Sequence, residues 1–308
     1  MSGVDGEQGS GSPAPCCLPA RGATPGPVEV SRRSGGSGGA DGPRLLDLPG
    51  GRFAMGYEGP LARPEDGEGP VREVVVAPFR IGATPVTNAE FAAFVAATGH
   101  TTVAEREGWS FVFHLQVGPR AVVRGRAAGV EWWIAVQDAA WSRPGGAGTE
   151  RRARPDLPVV HVAAPDAEAY AAWCGARLPT ESEWEYAARG GLPGALYPWG
   201  DEHPLAGPAR CVIWEGDFPH RHRRGQGAVG PGPVGAGEPN GFGLQQVVGN
   251  VWEWTATDAG PEVRIRRGGS YLCHDSYCNR YRVSARDRSH VLDTAGNLGF
   301  RIAADART

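Results

Sequence analysis

The sequence lacks several features that would assign it to a broad class of protein. Its 308 residues contain no run of about 18 apolar residues, so no membrane span is predicted. The formal net charge of -3 argues against the basic face that binds nucleic acid. A basic start followed by an apolar run of about 7–15 residues is also missing, so the N-terminus does not resemble a secretion signal. We therefore expect no membrane partner and no nucleic-acid partner.

Cysteine is scarce, with six residues in the whole chain. Without a secretion signal, these cysteines indicate a reducing, cytoplasmic compartment, where cysteine is more often catalytic or metal-binding than structural. Cys16 and Cys17 lie in a stretch rich in glycine, serine and proline, and we interpret them as incidental exposed thiols. Cys174 and Cys211 are isolated, and we predict buried, inert thiols at both positions.

The composition predicts one irregular domain behind a long tail. Residues 1–44 contain no apolar run, so they cannot bury enough surface to offset the entropy of ordering, and we predict a disordered tail. No linker divides the chain after residue 45, so residues 45–308 are predicted as a single domain. The 47 glycines, 27 prolines and 10 tryptophans favour a loop-rich fold with large aromatic side chains in its core.

Local signals predict a small number of helices. Capping boxes at Thr87-Asn-Ala-Glu90 and Thr180-Glu-Ser-Glu183 predict two helix starts, the second ending at Gly190. A further helix is predicted from residue 165 or 166 to Cys174. Residues 118–150, which contain the pair Trp132-Trp133, give no clear assignment.

The segment with the most chemical information contains Cys273 and Cys278 within Cys-His-Asp-Ser-Tyr-Cys. By itself, this spacing fits a disulfide, half of a zinc site or a redox pair. A tetrahedral zinc site needs two further ligands, and the other cysteines are not paired. Two thiolates without further ligands suit Cu(I), and Arg280 and Arg282 would favour the thiolate form. Residue chemistry alone leaves copper, a disulfide and inert thiols open.

The segment 268–282, Gly-Gly-Ser-Tyr-Leu-Cys-His-Asp-Ser-Tyr-Cys-Asn-Arg-Tyr-Arg, resembles the active-site signature of the formylglycine-generating enzymes, also called sulfatase-modifying factors. Further segments match that family in the same order: 48–56, 85–88, 177–191, 239–244, 248–254 and 297–301. The resemblance extends from about residue 45 to the end of the chain. It implies the family's α+β fold, low in regular secondary structure and related to C-type lectin domains.

The resemblance also implies a reaction. Family members use O2 and Cu(I) to oxidise a cysteine within a Cys-x-Pro-x-Arg stretch of an unfolded sulfatase to Cα-formylglycine. The residues that match the family's active site are Cys273 and Cys278 as copper ligands, Ser270 and Tyr277 beside them, and Trp252 and Asn297 along the substrate groove.

Two structural calcium ions are implied by the same resemblance. Val212 and Gln226 occupy positions of one family site, and valine offers no side-chain oxygen, so this site is doubtful. The second site is predicted at four matching positions: Gln246, Gly249, Val251 and Glu253. The alternative interpretation of Glu253 is a structural salt bridge.

Two other functions compete with the copper oxidase. One is a different oxidase of the same superfamily, such as a non-haem iron sulfoxide synthase. Such an enzyme needs a histidine-rich site, whereas the eight histidines here are scattered and form no H-x3-H-x-E arrangement. The other is a non-catalytic binding module that retained the fold, for which the altered calcium positions are the best support.

Overall fold

The computed structural model describes Pro19, residues 42–206 and residues 210–307. The predicted tail, including Cys16 and Cys17, lies outside the described residues except for Pro19 and residues 42–44. Within the described part, short strands and few helices are joined by long loops. This is the α+β architecture with little regular secondary structure that the sequence predicted. None of the helices in the described ranges is long and apolar enough to cross a membrane.

The described strands are two to nine residues long. They are β1 (Leu45–Leu48), β2 (Gly51–Met55), β3 (Arg72–Val76), β4 (Phe79–Gly82), β5 (Trp109–Phe113), β6 (Val123–Arg126), β7 (Trp133–Gln137), β8 (Gly216–Asp217), β9 (Arg221–His222), β10 (Trp252–Gly260), β11 (Val263–Arg267), β12 (Arg286–His290), β13 (Leu298–Phe300) and β14 (Ala303–Asp305). The helices are α1 (Asn88–Thr98), α2 (Val103–Glu107), α3 (Ala164–Trp173) and α4 (Glu181–Arg189).

The predicted helices form where their caps indicate. Thr87 and Thr180 each accept a hydrogen bond from the backbone of the glutamate three residues later, which completes both capping boxes. The α4 helix ends at Gly190, whose φ of 57° lies in the left-handed region. Helix α2, capped by Thr102, was not predicted, because five residues are too short to show helical periodicity.

The largest sheet positions the cysteine segment. Its strand order is β12-β11-β10-β13, with β10 and β13 parallel and the other pairs antiparallel. Arg267 at the end of β11 pairs with Arg286 at the start of β12. Residues 268–285, including both cysteines of the segment, therefore form a loop that leaves the sheet and returns to its edge.

The core packs helix α4 against this sheet. Trp184 of α4 is buried, and its indole Nε1 donates a 2.7 Å hydrogen bond to Glu253 on β10. Glu185 on the same helix accepts hydrogen bonds from Arg189 and Arg267. Because Arg267 also ends β11, this ion-pair cluster fixes the point where the cysteine loop begins.

Candidate active site

A tight turn brings the two cysteines of the segment together. The carbonyl of His274 accepts hydrogen bonds from the backbone amides of Tyr277 (3.0 Å) and Cys278 (2.8 Å). As a result, the Sγ atoms of Cys273 and Cys278 lie 3.0 Å apart, well beyond the roughly 2.05 Å of a disulfide bond. The two residues are thiols that face each other, and not a disulfide pair. The segment is a turn here and not a strand.

A close approach of two backbone segments supports this turn. Gly269 has a φ of 71°, and a Cβ atom at this position would lie 2.6 Å from the carbonyl oxygen of Arg280. Only glycine fits this left-handed conformation without displacing the neighbouring backbone. The residues before Cys273 and after Cys278 can therefore pass close to each other.

Ser270 and Asn297 form a polar pair beside the cysteines. The Asn297 side-chain amide donates a 3.0 Å hydrogen bond to Ser270 Oγ, and the backbone amide of Leu272 donates another at 3.3 Å. A hydroxyl oxygen has two acceptor sites, and both are used, so the Ser270 hydrogen is left to donate outward. The structure thus brings Ser270 and Asn297 together with the cysteine pair.

A narrow cavity, partly open to solvent, lies over the two sulfur atoms. Its lining residues are Trp132, Trp133, Phe218, Ser270, Leu272, Cys273, Tyr277, Cys278 and Asn297. Five of the six residues that the sequence predicted for the active site line this cavity. Each cysteine is 1% exposed, so access to the sulfurs runs through the cavity.

Aromatic rings form the walls of the cavity. The rings of Phe218 and Tyr277 stack with centroids 4.7 Å apart, and Trp132 meets Tyr277 edge-on at 5.0 Å. Trp132 also contacts Phe218 at 5.5 Å. These apolar walls exclude water from the space above the sulfurs while leaving an opening.

The sequence interpretation missed Phe218 and did not assign a role to Trp132. Trp132 lies in the unassigned stretch 118–150, where a Trp-Trp pair next to polar residues was the available signal. Phe218 lies in the turn between β8 and β9, and nothing in its local sequence marks it. Its role depends on contacts with Trp132 and Tyr277, which are distant in sequence.

Two buried ion pairs fix the chain that follows Cys278. The guanidinium of Arg280 binds both carboxylate oxygens of Asp66, at 2.6 and 2.7 Å. Arg282 binds both oxygens of Glu68, at 2.5 and 2.6 Å. Burial raises the pKa of the Asp66 carboxyl, while its hydrogen bonds to Arg280 act in the opposite direction.

We call Asp66, Glu68, Arg280 and Arg282 the carboxylate clamp. Each arginine of the clamp pairs with a buried carboxylate, which ties the chain after Cys278 to the segment that carries Asp66 and Glu68. Their role is to hold the loop. Arg63 adds a 3.3 Å hydrogen bond to the backbone carbonyl of Tyr277.

Trp252, predicted to line the substrate groove, does not line this cavity. Its side chain is fully buried, and the guanidinium of Arg266 lies 4.8 Å from its ring centroid. Its backbone amide donates a 2.8 Å hydrogen bond to the carbonyl of Asn297. Trp252 therefore supports Asn297 from the sheet, and its predicted contact with substrate finds no support in the cavity geometry.

One of the predicted calcium residues, Glu253, forms a buried salt bridge. Arg301 donates to both carboxylate oxygens of buried Glu253, at 2.6 and 2.8 Å. This is the alternative that the sequence left open for Glu253. Gln246 Oε1 is buried and has no hydrogen-bond partner in the described part of the chain, so it offers one amide oxygen to a cation. Among the described residues, no group of three or more His, Cys, Asp or Glu side chains is placed to hold a metal ion.

Comparison with known proteins agrees with this geometry. The family model described as sulfatase-modifying factor enzyme 1-like domain matches residues 36–306. The chain belongs to this family. The formylglycine-generating enzyme of Streptomyces coelicolor is 52% identical over 306 residues, covering 94% of this chain and 95% of that relative.

Two further similarities show the range of the family. The inactive C-alpha-formylglycine-generating enzyme 2 of Mus musculus is 46% identical over 276 residues, covering 87% of this chain and 88% of that protein. The solved structure of PvdO from Pseudomonas aeruginosa has a TM-score of 0.60 at 25% identity, covering 86% of this chain and 95% of that one.

Proposed function

We propose that this chain oxidises a cysteine within a Cys-x-Pro-x-Arg stretch of a sulfatase polypeptide to Cα-formylglycine, using O2 and Cu(I). The observation that carries the proposal is the cysteine pair, whose sulfurs lie 3.0 Å apart at the wall of a cavity that opens to solvent. High identity to a formylglycine-generating enzyme supports the same conclusion.

Cys273 and Cys278 are the residues that would hold copper. Soft thiolates select Cu(I), and two ligands leave the ion open to a third sulfur. When bound, Cu(I) would supply the redox chemistry that the reduction of O2 requires. The residues of the cavity themselves admit the substrate thiol and shield it from water.

The polar pair would orient the incoming cysteine. The hydroxyl of Ser270 has both acceptor sites filled by Asn297 and Leu272, so its hydrogen is available to a substrate thiolate. Tyr277 acts as a wall of the cavity through its ring contacts with Trp132 and Phe218. A folded sulfatase could not present its cysteine to such a cavity, so we infer an unfolded substrate that binds as an extended chain.

We propose a calcium ion separately, at Gln246, Gly249, Val251 and Glu253. Gln246 Oε1 offers an amide oxygen, and Gly249 and Val251 offer main-chain carbonyls on the same segment. The Arg301 guanidinium already pairs with the Glu253 carboxylate, so a cation bound to Glu253 would lie next to a fixed positive charge. We assign no step of the reaction to calcium.

The test is conversion of a peptide containing Cys-Thr-Pro-Ser-Arg by the copper-loaded protein under air, with a thiol reductant. Mass spectrometry should detect an aldehyde in place of the thiol. Cys273→Ala and Cys278→Ala should abolish conversion, and Cys174→Ala, which alters a thiol outside the cavity, should not. Peptide that binds without ever being converted would indicate a non-catalytic module. A requirement for iron would indicate another oxidase of the superfamily.

A further inference from the structure

The chain carries its own copy of the substrate motif. Residues 17–21 read Cys-Leu-Pro-Ala-Arg, which matches Cys-x-Pro-x-Arg at every specified position. None of the other five cysteines has proline two residues later and arginine four residues later. The neighbouring Cys16 is followed by leucine at the second position, so it fails the same pattern.

Composition makes coincidence a poor explanation. Proline and arginine account for 27 and 31 of the 308 residues, and the sequence contains no lysine. A given cysteine would therefore meet both requirements by chance about once in a hundred times, and one of six cysteines about once in twenty. The motif also lies outside the residues that the domain needs for its core.

Pro19, the central residue of the motif, is buried, although residues 1–43 as a whole are rich in glycine, serine, proline and alanine and show no core pattern. Pro19 therefore packs against other residues of the molecule. A cavity with apolar walls lies above the cysteine pair, and Trp132, Phe218 and Tyr277 form part of these walls. Extended proline-containing segments bind to surfaces lined by aromatic rings.

The chain between the motif and the domain is long enough to reach this cavity. Residues 22–41 join Arg21 to Gly42, and 20 extended residues span about 66–72 Å. A domain of this size has a radius of gyration of roughly 18 Å, so every point on its surface is within reach. A tethered segment also competes at an effective concentration of about 1 mM, well above that of a free polypeptide.

We propose that Cys17 is a self-modification site: the segment 17–21 enters the cavity above Cys273 and Cys278, and the enzyme converts Cys17 to formylglycine within the same chain. This inference rests on the proposed function. It replaces the interpretation of Cys17 as an incidental thiol and leaves that interpretation in place for Cys16.

The reaction balances with reagents that the proposed function already uses. The Cys17 side chain loses its sulfur and two hydrogens and gains one oxygen atom from O2, which yields the aldehyde and hydrogen sulfide. The second oxygen atom takes up two protons and two electrons and leaves as water. Those electrons come from two molecules of a thiol reductant, which become a disulfide.

The experiment uses the full chain, purified and incubated with Cu(I), a thiol reductant and air. Proteolytic fragments that contain residue 17 are analysed by mass spectrometry and by labelling with an aminooxy reagent, which reacts with aldehydes. We expect an aldehyde at residue 17 in wild-type chain and in Cys16→Ser, and none in Cys17→Ser or Cys273→Ala. Pro19→Ala should lower the converted fraction about tenfold, the effect of removing one apolar anchor.

Dilution separates conversion within a chain from conversion between chains. A rate constant that stays unchanged over a wide range of protein concentrations supports the intramolecular reaction. An observed first-order rate constant that falls in proportion to protein concentration overturns it. Rapid conversion of an added Cys273→Ala chain by wild-type protein at high dilution would also overturn it.

A free peptide with Cys-Thr-Pro-Ser-Arg, added to the same samples, distinguishes two kinds of failure. If the peptide is converted while Cys17 stays a thiol, the self-modification proposal is wrong and the proposed function stands. If neither is converted, the proposed function fails and this inference fails with it. Thermal unfolding of each variant checks that substitutions in the tail leave the domain folded.

Discussion

The sequence predicted two metal sites, one with sulfur ligands and one with oxygen ligands. In the structure, the surroundings of the two sites differ. At the first, the sulfurs of Cys273 and Cys278 lie 3.0 Å apart and line a cavity. At the second, both oxygens of Glu253 accept hydrogen bonds from Arg301, and one also accepts from Trp184. Residue type alone suggested ligands at both positions. The comparison teaches that a donor atom must also be accessible and not already engaged by a cation.

The largest expected effect is a loss of stability on replacement of Glu253. Replacing it with alanine leaves the Arg301 guanidinium buried without its carboxylate, which should lower the free energy of unfolding by about 3–5 kcal/mol. Urea denaturation measures this loss. If Glu253 were mainly a calcium ligand, chelation of calcium from wild-type protein would reproduce the loss. A chelator effect of that size would contradict the salt-bridge interpretation.

The carboxylate clamp should affect both stability and turnover. Asp66→Asn removes the charge that Arg280 binds, and we expect a loss of about 1.5–3 kcal/mol in unfolding free energy. Because the clamp positions the loop of Cys278 and not the substrate, kcat for peptide conversion should fall while KM changes little.

The exposed pair between Arg52 and Glu73 provides the control for the clamp. Both side chains are more than 60% exposed, so Glu73→Ala should cost less than about 1 kcal/mol. Equal stability losses for Asp66→Asn and Glu73→Ala would show that burial of the clamp is unimportant. An increase in KM alone would place Asp66 in substrate binding.

The aromatic walls should have a smaller effect, restricted to peptide binding. Phe218→Ala removes stacking with Tyr277, and a loss of 0.5–1.5 kcal/mol corresponds to an increase in KM of about 2- to 12-fold. Phe218→Leu, which keeps an apolar wall, should give a smaller increase. Peptide titrations measure both. Unchanged KM in Phe218→Ala would exclude this ring from the binding surface.

The smallest effect is expected at Cys211, a buried thiol outside the cavity. Burial raises the pKa of Cys211 to about 12, so at pH 8 almost no reactive thiolate is present. Iodoacetamide should therefore leave Cys211 unlabelled in folded protein at pH 8, with labelling only as the pH approaches 12 or after unfolding. Peptide mass spectrometry measures the labelled fraction. Rapid labelling at pH 8 would mean that Cys211 is accessible.

Local features were predictable because they depend on neighbouring residues. The capping boxes at Thr87 and Thr180 use contacts three residues apart, and both formed as expected. The pairing of Cys273 with Cys278 depends on one turn within the same segment. The fold itself followed from matching segments spread along the chain.

Long-range features were not predictable in the same way. Arg280 and Arg282 bind Asp66 and Glu68, and both of these carboxylates lie 214 residues away in sequence. Trp252 matched a groove position, yet β10 directs its ring beneath Arg266. Phe218 entered the cavity wall through contacts that no local pattern marks.

The sequence by itself determined the helix caps, the cysteine spacing and the copy of the substrate motif at residues 17–21, because each depends on residues close together in the chain. It determined the family through several such segments that match in the same order. Tertiary structure alone decided which charges are neutralised and which rings line the cavity. Those outcomes depend on burial and on distances between segments far apart in sequence. A carboxylate or an aromatic ring carries no local signal of the partner that it will meet in the folded protein.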